Sequence, residues 1–191
     1  MRRSTILVVA IALASGGVLG AIGLLAGDAL KPGSAAAPSP NPVWTEVPWP
    51  FPTDQWGKGR AFQCRAEHCG TQARLYLRAK LGSCNCTTGV ADDDDLDRMS
   101  DFDLVGGEVL PLGAGRPITI ASMKGRSRAY ALPARSRSGR SAISVVVNDR
   151  CDMIVATVVL PHDRPATIEP GVMEFLNSRT VQHWAEIALG L

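Results

Sequence analysis

The sequence predicts an α+β domain, a largely antiparallel sheet with a C-terminal helix packed on one face. Three observations carry this expectation. Two β-branched runs, SAISVVV (Ser141 to Val147) and MIVATVVL (Met153 to Leu160), flank the polar turn NDRCD and read as a hairpin. Their near-continuous apolar character suits the middle of a sheet. At the end of the chain Val181, Trp184, Ala185, Ala188 and Leu189 recur at i, i+3, i+4, i+7 and i+8, which is one apolar helix face. Strands first and a helix last is the α+β order.

Further strand-like runs lie at Gly59 to Cys64, Thr71 to Leu81, Arg116 to Met123 and Arg128 to Leu132. The preceding stretch VWTEVPWPFPTDQW sets Trp44, Trp49, Phe51 and Trp56 among Pro48, Pro50 and Pro52. That is too proline-rich for a helix or a central strand, so it reads as an extended arm whose aromatics pin it onto its own domain. Residues 43–191 form one domain of ordinary size, with no internal repeat.

The first thirty residues bear on location. After Arg2 and Arg3 the chain runs from Thr5 to Ala26 without a charge. At about 1.5 Å per residue that gives roughly 33 Å of helix, enough to span a bilayer. A cleavable signal has a shorter apolar core of about 7–15 residues, so residues 1–30 read as an uncleaved membrane anchor. The Ser34-Ala35-Ala36 segment would serve the cleaved alternative. Arginines before the span leave the remainder outside the cytoplasm, as a single-pass inner-membrane protein with a periplasmic C-terminal domain. Residues 31–42 are rich in Pro, Ala and Ser and read as a linker of about 20 Å if flexible and about 40 Å if polyproline-like.

Four of the five cysteines, Cys64, Cys69, Cys84 and Cys86, crowd together, and Cys151 stands in the hairpin turn. Outside the cytoplasm the expectation is a disulfide framework among these five, with one thiol left over. Spacing does not give the connectivity. The alternative is a metal-handling or thiol-redox centre, with Cys64, His68, Cys69, Cys84 and Cys86 as soft ligands for zinc or copper. Its gaps are unlike those of paired-cysteine zinc modules, and C-R-A-E-H-C is not a haem-attachment order. Without that centre no cofactor is expected.

Asp92 to Asp95 read as the first turn of a short helix, where carboxylates meet free amides and the positive end of the dipole, with Leu96 and Met99 turned inward. A calcium loop begun at Asp93 fails, because its sixth position is Arg98 and its twelfth Leu104.

The overall charge of +2 hides two opposed segments. From Thr87 to Glu108 eight acidic residues stand against Arg98, a net of −7. From Val109 to Asn148 the basic residues are Arg116, Lys124, Arg126, Arg128, Arg135, Arg137 and Arg140, with no acid, a net of +7. Either the two segments face each other, or Lys124, Arg126, Arg128, Arg135, Arg137 and Arg140 attract anionic headgroups or an acidic partner. Nucleic acid does not suit the compartment.

No G-x-S-x-G, H-E-x-x-H or phosphate-cradling glycine loop is present, so no catalytic residue is assigned. The segments WPFPTDQWGKGRAFQC and LGSCNCTTGVADDDDLD resemble those of uncharacterised single-span bacterial envelope proteins. The resemblance implies location and carries no activity. The expectation is therefore a disulfide-stabilised extracytoplasmic binding or structural module, held to the membrane by its N-terminal helix, with an anionic lipid or an envelope protein as partner.

Overall fold

A computed structural model describes residues 42–132, 139–161 and 165–191. The anchor expected over residues 1–30 lies outside them, as do the linker apart from Pro42, Arg135, Arg137 and His162. Among the described residues no helix is long and apolar enough to cross a membrane.

Eight strands form one antiparallel sheet: β1 (Trp44–Val47), β2 (Arg60–Cys64), β3 (Ala73–Lys80), β4 (Leu110–Pro111), β5 (Arg116–Ile120), β6 (Met123–Leu132), β7 (Arg140–Asp149) and β8 (Asp152–Leu160). Their order is β1-β2-β3-β8-β7-β6-β4, and β5 pairs with β6 beside β4. The β7–β8 hairpin takes the centre, as its apolar runs require, and every residue from Ser141 to Val147 is buried. The run expected from Arg128 is longer than the sequence suggests: β6 begins at Met123 and pairs with β7 from Lys124 to Leu132.

Both faces of the sheet are covered. Two C-terminal helices, α3 (Pro165–Leu176) and α4 (Arg179–Leu189), lie over one face. There Ile168, Val172, Leu176, Val181, Ala185 and Leu189 join the core with Leu75, Ile143 and Val145. The single closing helix expected from the sequence is thus a pair, and α4 has the apolar face foreseen for it. The opposite face carries α2 (Asp93–Met99) and a 3-10 turn (Phe102–Val105), with Leu96 and Met99 buried against Val146, Met153 and Val155. Burial on both sides is why β7 and β8 read as unbroken apolar runs.

The aromatic arm is pinned to its own domain. Trp44 stacks on Phe175 of α3 with ring centroids 5.2 Å apart. Trp49 and Phe51 meet Tyr76 edge to face at 6.1 and 4.8 Å. Each such pair adds about 0.5–1.5 kcal/mol beyond its area burial.

Candidate binding cleft

Helix α2 begins where its carboxylates are of use. Asp92 caps it by accepting the Asp95 N–H at 2.8 Å, and Asp95 reaches back to accept the Ala91 N–H at 3.1 Å. Leu96 is fully buried and Met99 nearly so, which turns Asp93 and Asp97 toward β6. On β6 the alternation Met123-Lys124-Gly125-Arg126-Ser127-Arg128 buries Met123, Gly125 and Ser127 and sends the three cations to the other side.

The acidic and basic segments therefore meet. Arg126 donates through Nε and Nη2 to Asp93 Oδ1 at 2.9 and 2.6 Å. Arg128 lies 3.1 Å from Asp97 Oδ2 and donates from Nε to the Gly113 carbonyl at 2.7 Å. The Gly115 N–H donates to Asp93 Oδ2 at 2.8 Å. Glycine at 115 permits this approach, because a Cβ there would run into the Asp93 carboxylate. The Gly115 N–H and then the Arg126 guanidinium hold the Asp93 carboxyl below the usual carboxylate range. Arg126 and Arg128 are thus occupied within the fold. Arg140 Nη2 donates to the Val105 carbonyl at 3.2 Å, and Lys124 has no ion pair among the described residues.

Tyr130 closes this seam, its hydroxyl donating to Asp97 Oδ1. Burial, then the Asp97 hydrogen bond, push its pKa well above the ordinary tyrosine value. The folded state favours the neutral phenol, so this contribution is complete below the unfolded pKa of about 10 and is lost as pH rises through the higher folded value. Tyr130→Phe is expected to cost about 0.5–1.5 kcal/mol at neutral pH and to flatten the loss of stability above pH ~10. Urea unfolding across that range checks it, and an unchanged alkaline slope would count against the assignment.

The cysteines set the remaining wall. Cys64 is joined to Cys69, closing the short helix α1 (Ala66–Cys69) onto β2, and Cys86 is joined to Cys151 in the β7–β8 turn. Around the second bridge the Cys84 N–H donates to the Cys151 carbonyl at 3.2 Å, the Gly82 N–H to Asp152 Oδ1 at 2.7 Å, and the Val90 N–H to Asn148 Oδ1 at 3.2 Å. The strap 82–90 is thereby fixed along the hairpin end.

The metal set Cys64, His68, Cys69, Cys84 and Cys86 is not assembled. Four of the five cysteines are bonded in pairs to each other, and among the described residues no group of three or more potential ligands gathers. Cys84 is the remaining thiol. It is buried and donates to the Arg150 carbonyl at 3.2 Å, and burial, then Asp152, push its pKa up. A reactive thiol needs the opposite setting. His183 is exposed on α4, 3.9 Å from Glu186.

Between the strap and the β5–β6 hairpin lies an open cleft of about 430 Å³. Thr88, Val90 and Ala91 form one wall, and Pro117, Ile118, Thr119, Lys124, Gly125 and Arg126 the other. Two residues of the basic segment, Lys124 and Arg126, line it. Arg128 is taken up by α2, and Arg140 lies at the far end of β7. The cleft offers an ammonium, two threonine hydroxyls and apolar surface, which can bind but has no nucleophile–base pair. Its threonines and its apolar wall were not found by sequence reasoning, because the strap is placed by long-range contacts with the β7–β8 hairpin end: the Cys86–Cys151 bridge and the hydrogen bonds of Gly82, Cys84 and Val90. Compared with protein-family models and with curated proteins, the chain matches none.

Proposed function

We propose that the chain is an extracytoplasmic binding module of a bacterial envelope, tethered by its N-terminal helix and without chemistry of its own, which receives its partner in the cleft between the strap and the β5–β6 hairpin. The two disulfides carry this reading, since such bonds persist where thiols are kept oxidised. The uncharged run from Thr5 to Ala26 behind Arg2 and Arg3 supports the tether and its direction. The buried, poorly acidic Cys84 supports binding over thiol exchange.

A reporter active only outside the cytoplasm, fused after residue 60, is expected to be active. Non-reducing peptide mapping of envelope-purified protein is expected to recover Cys64–Cys69 and Cys86–Cys151, with Cys84 alkylated only after unfolding. A photo-crosslinking residue at Thr119 is expected to trap the partner in cells, and one at Glu186 on the opposite side to trap none. A cytoplasmically active reporter, or reduced cysteines with bound zinc or copper, would overturn location and class. Equal trapping from both positions would overturn the cleft as the contact.

A further inference from the structure

We propose that a second site, the cavity formed by Gln72, Arg74 and Arg140, binds a phosphate monoester group. It is separate from the cleft and rests on none of its residues. Strand alternation puts the two arginines together. Leu75 and Leu77 pack under the C-terminal helices, whereas Tyr76 packs on the opposite face, so Arg74 shares the face of Tyr76. Ala142 belongs to that same cluster, so Arg140, two residues before it, faces the same way.

β8 runs between β3 and β7, with Val159 paired to Arg74 on one side and to Ala142 on the other. The strands bearing the two arginines are therefore separated by two inter-strand spacings, roughly 10 Å. Both guanidinium forks can reach one anion held above β8. The cavity between them measures about 190 Å³ and is completed by Val159, Leu160 and Pro161. A single water needs only about 10–15 Å³, so there is room for a phosphate and part of its carrier.

Arg74 and Arg140 differ from the other arginines of the sheet strands. Arg60, Arg78, Arg116, Arg126 and Arg128 each meet a carboxylate within 4 Å. Among the described residues Arg74 has no such partner, and Arg140 has the Val105 carbonyl at 3.2 Å but no carboxylate. Among the described residues no carboxylate lines the cavity, and the donors there are two forks and the Gln72 amide. A phosphate monoester supplies three acceptor oxygens to match them, and Val159 and Pro161 contact whatever carries it. The carrier is either a small solute or a lipid headgroup.

The full chain in dodecyl maltoside distinguishes them by calorimetric titration with inorganic phosphate in one arm. The other arm uses dihexanoyl phosphatidic acid against dihexanoyl phosphatidylcholine. Saturable binding of phosphate, or of phosphatidic acid alone, is expected, weakened at least tenfold in the Arg74→Gln/Arg140→Gln double variant and unchanged by Lys124→Gln in the cleft. Arg74→Gln alone, at an exposed residue with no ion pair among the described residues, is expected to weaken binding at least threefold without altering the fold. Phosphate binding assigns a solute; phosphatidic acid binding without phosphate binding assigns a headgroup. If neither probe saturates, or the arginine variants bind as the parent does, the proposal is overturned.

Discussion

Replacing Asp101 by alanine is expected to destabilise the domain by about 3–5 kcal/mol, because it leaves buried positive charge uncompensated. Lys80 and Arg78 are strand residues whose side chains are only 9% and 3% exposed. The ammonium of Lys80 lies 2.7 Å from Asp101 Oδ1 and donates to the Met99 carbonyl at 2.9 Å, at the C-terminal end of α2. Arg78 Nε lies 3.6 Å from Asp101 Oδ2, and its Nη1 donates to Asp54 at 2.6 Å. Trp49 and Trp56 of the arm cover the two cations at 5.3 and 5.8 Å. Without Asp101, Lys80 would keep one carbonyl and an aromatic ring, which do not offset its lost hydration. The double change Lys80→Met/Asp101→Leu removes both charges and is expected to cost much less than Asp101→Ala. Urea unfolding of the three proteins decides it: an Asp101→Ala loss below about 1 kcal/mol, or a double variant no better than the single, would sink this account.

Removing the Cys86–Cys151 bridge is expected to cost about 4 kcal/mol, and removing Cys64–Cys69 about 2, in the chain-entropy model. The difference follows from the chain closed by each bond, 65 residues of separation against 5. The long bridge should be removed with Cys86→Ala/Cys151→Ala. Cys86→Ala alone would leave Cys151 beside Cys84, whose N–H already bonds its carbonyl, and a new pair could form. The double variant should also release the strap that carries Thr88, Val90 and Ala91, so the cleft should lose one wall while the Arg74/Arg140 cavity keeps its shape. Thermal unfolding gives the order of stabilities, and amide exchange at residues 84–91 reports the wall. Equal losses from the two bridges would refute the loop-length argument.

Much of what is written locally agrees with the structure, although the strand-like run from Arg116 to Met123 is split by a turn, with β5 ending at Ile120 and β6 starting at Met123. The β7–β8 hairpin, the Asp92 cap with Leu96 and Met99 inward, and the apolar face of α4 each depend on residues a few positions apart. Helix α3 was missed for a local reason as well: Pro170 and Gly171 stand inside it, and both oppose helix. It is held by Ile168, Val172 and Leu176 in the core, and Gly171 leaves room for Pro42, whose Cγ would lie 2.6 Å from a Cβ there.

The sequence by itself determined the class of fold, the central hairpin, the capped acidic helix and the presence of two opposed charge segments. Only the tertiary structure decided that Asp93 and Asp97 engage Arg126 and Arg128, which cysteines bond, and which cations stay unpaired. It alone brought Lys80 and Arg78 inside beside Asp101, from a run that reads as an ordinary strand. The physical reason is range. Period-two and period-3.6 patterns are set within one turn or one pleat and survive in the linear text. Partners such as Asp93 and Arg126 or Cys86 and Cys151 lie 33 and 65 positions apart, and what selects them is the order in which the strands close the sheet.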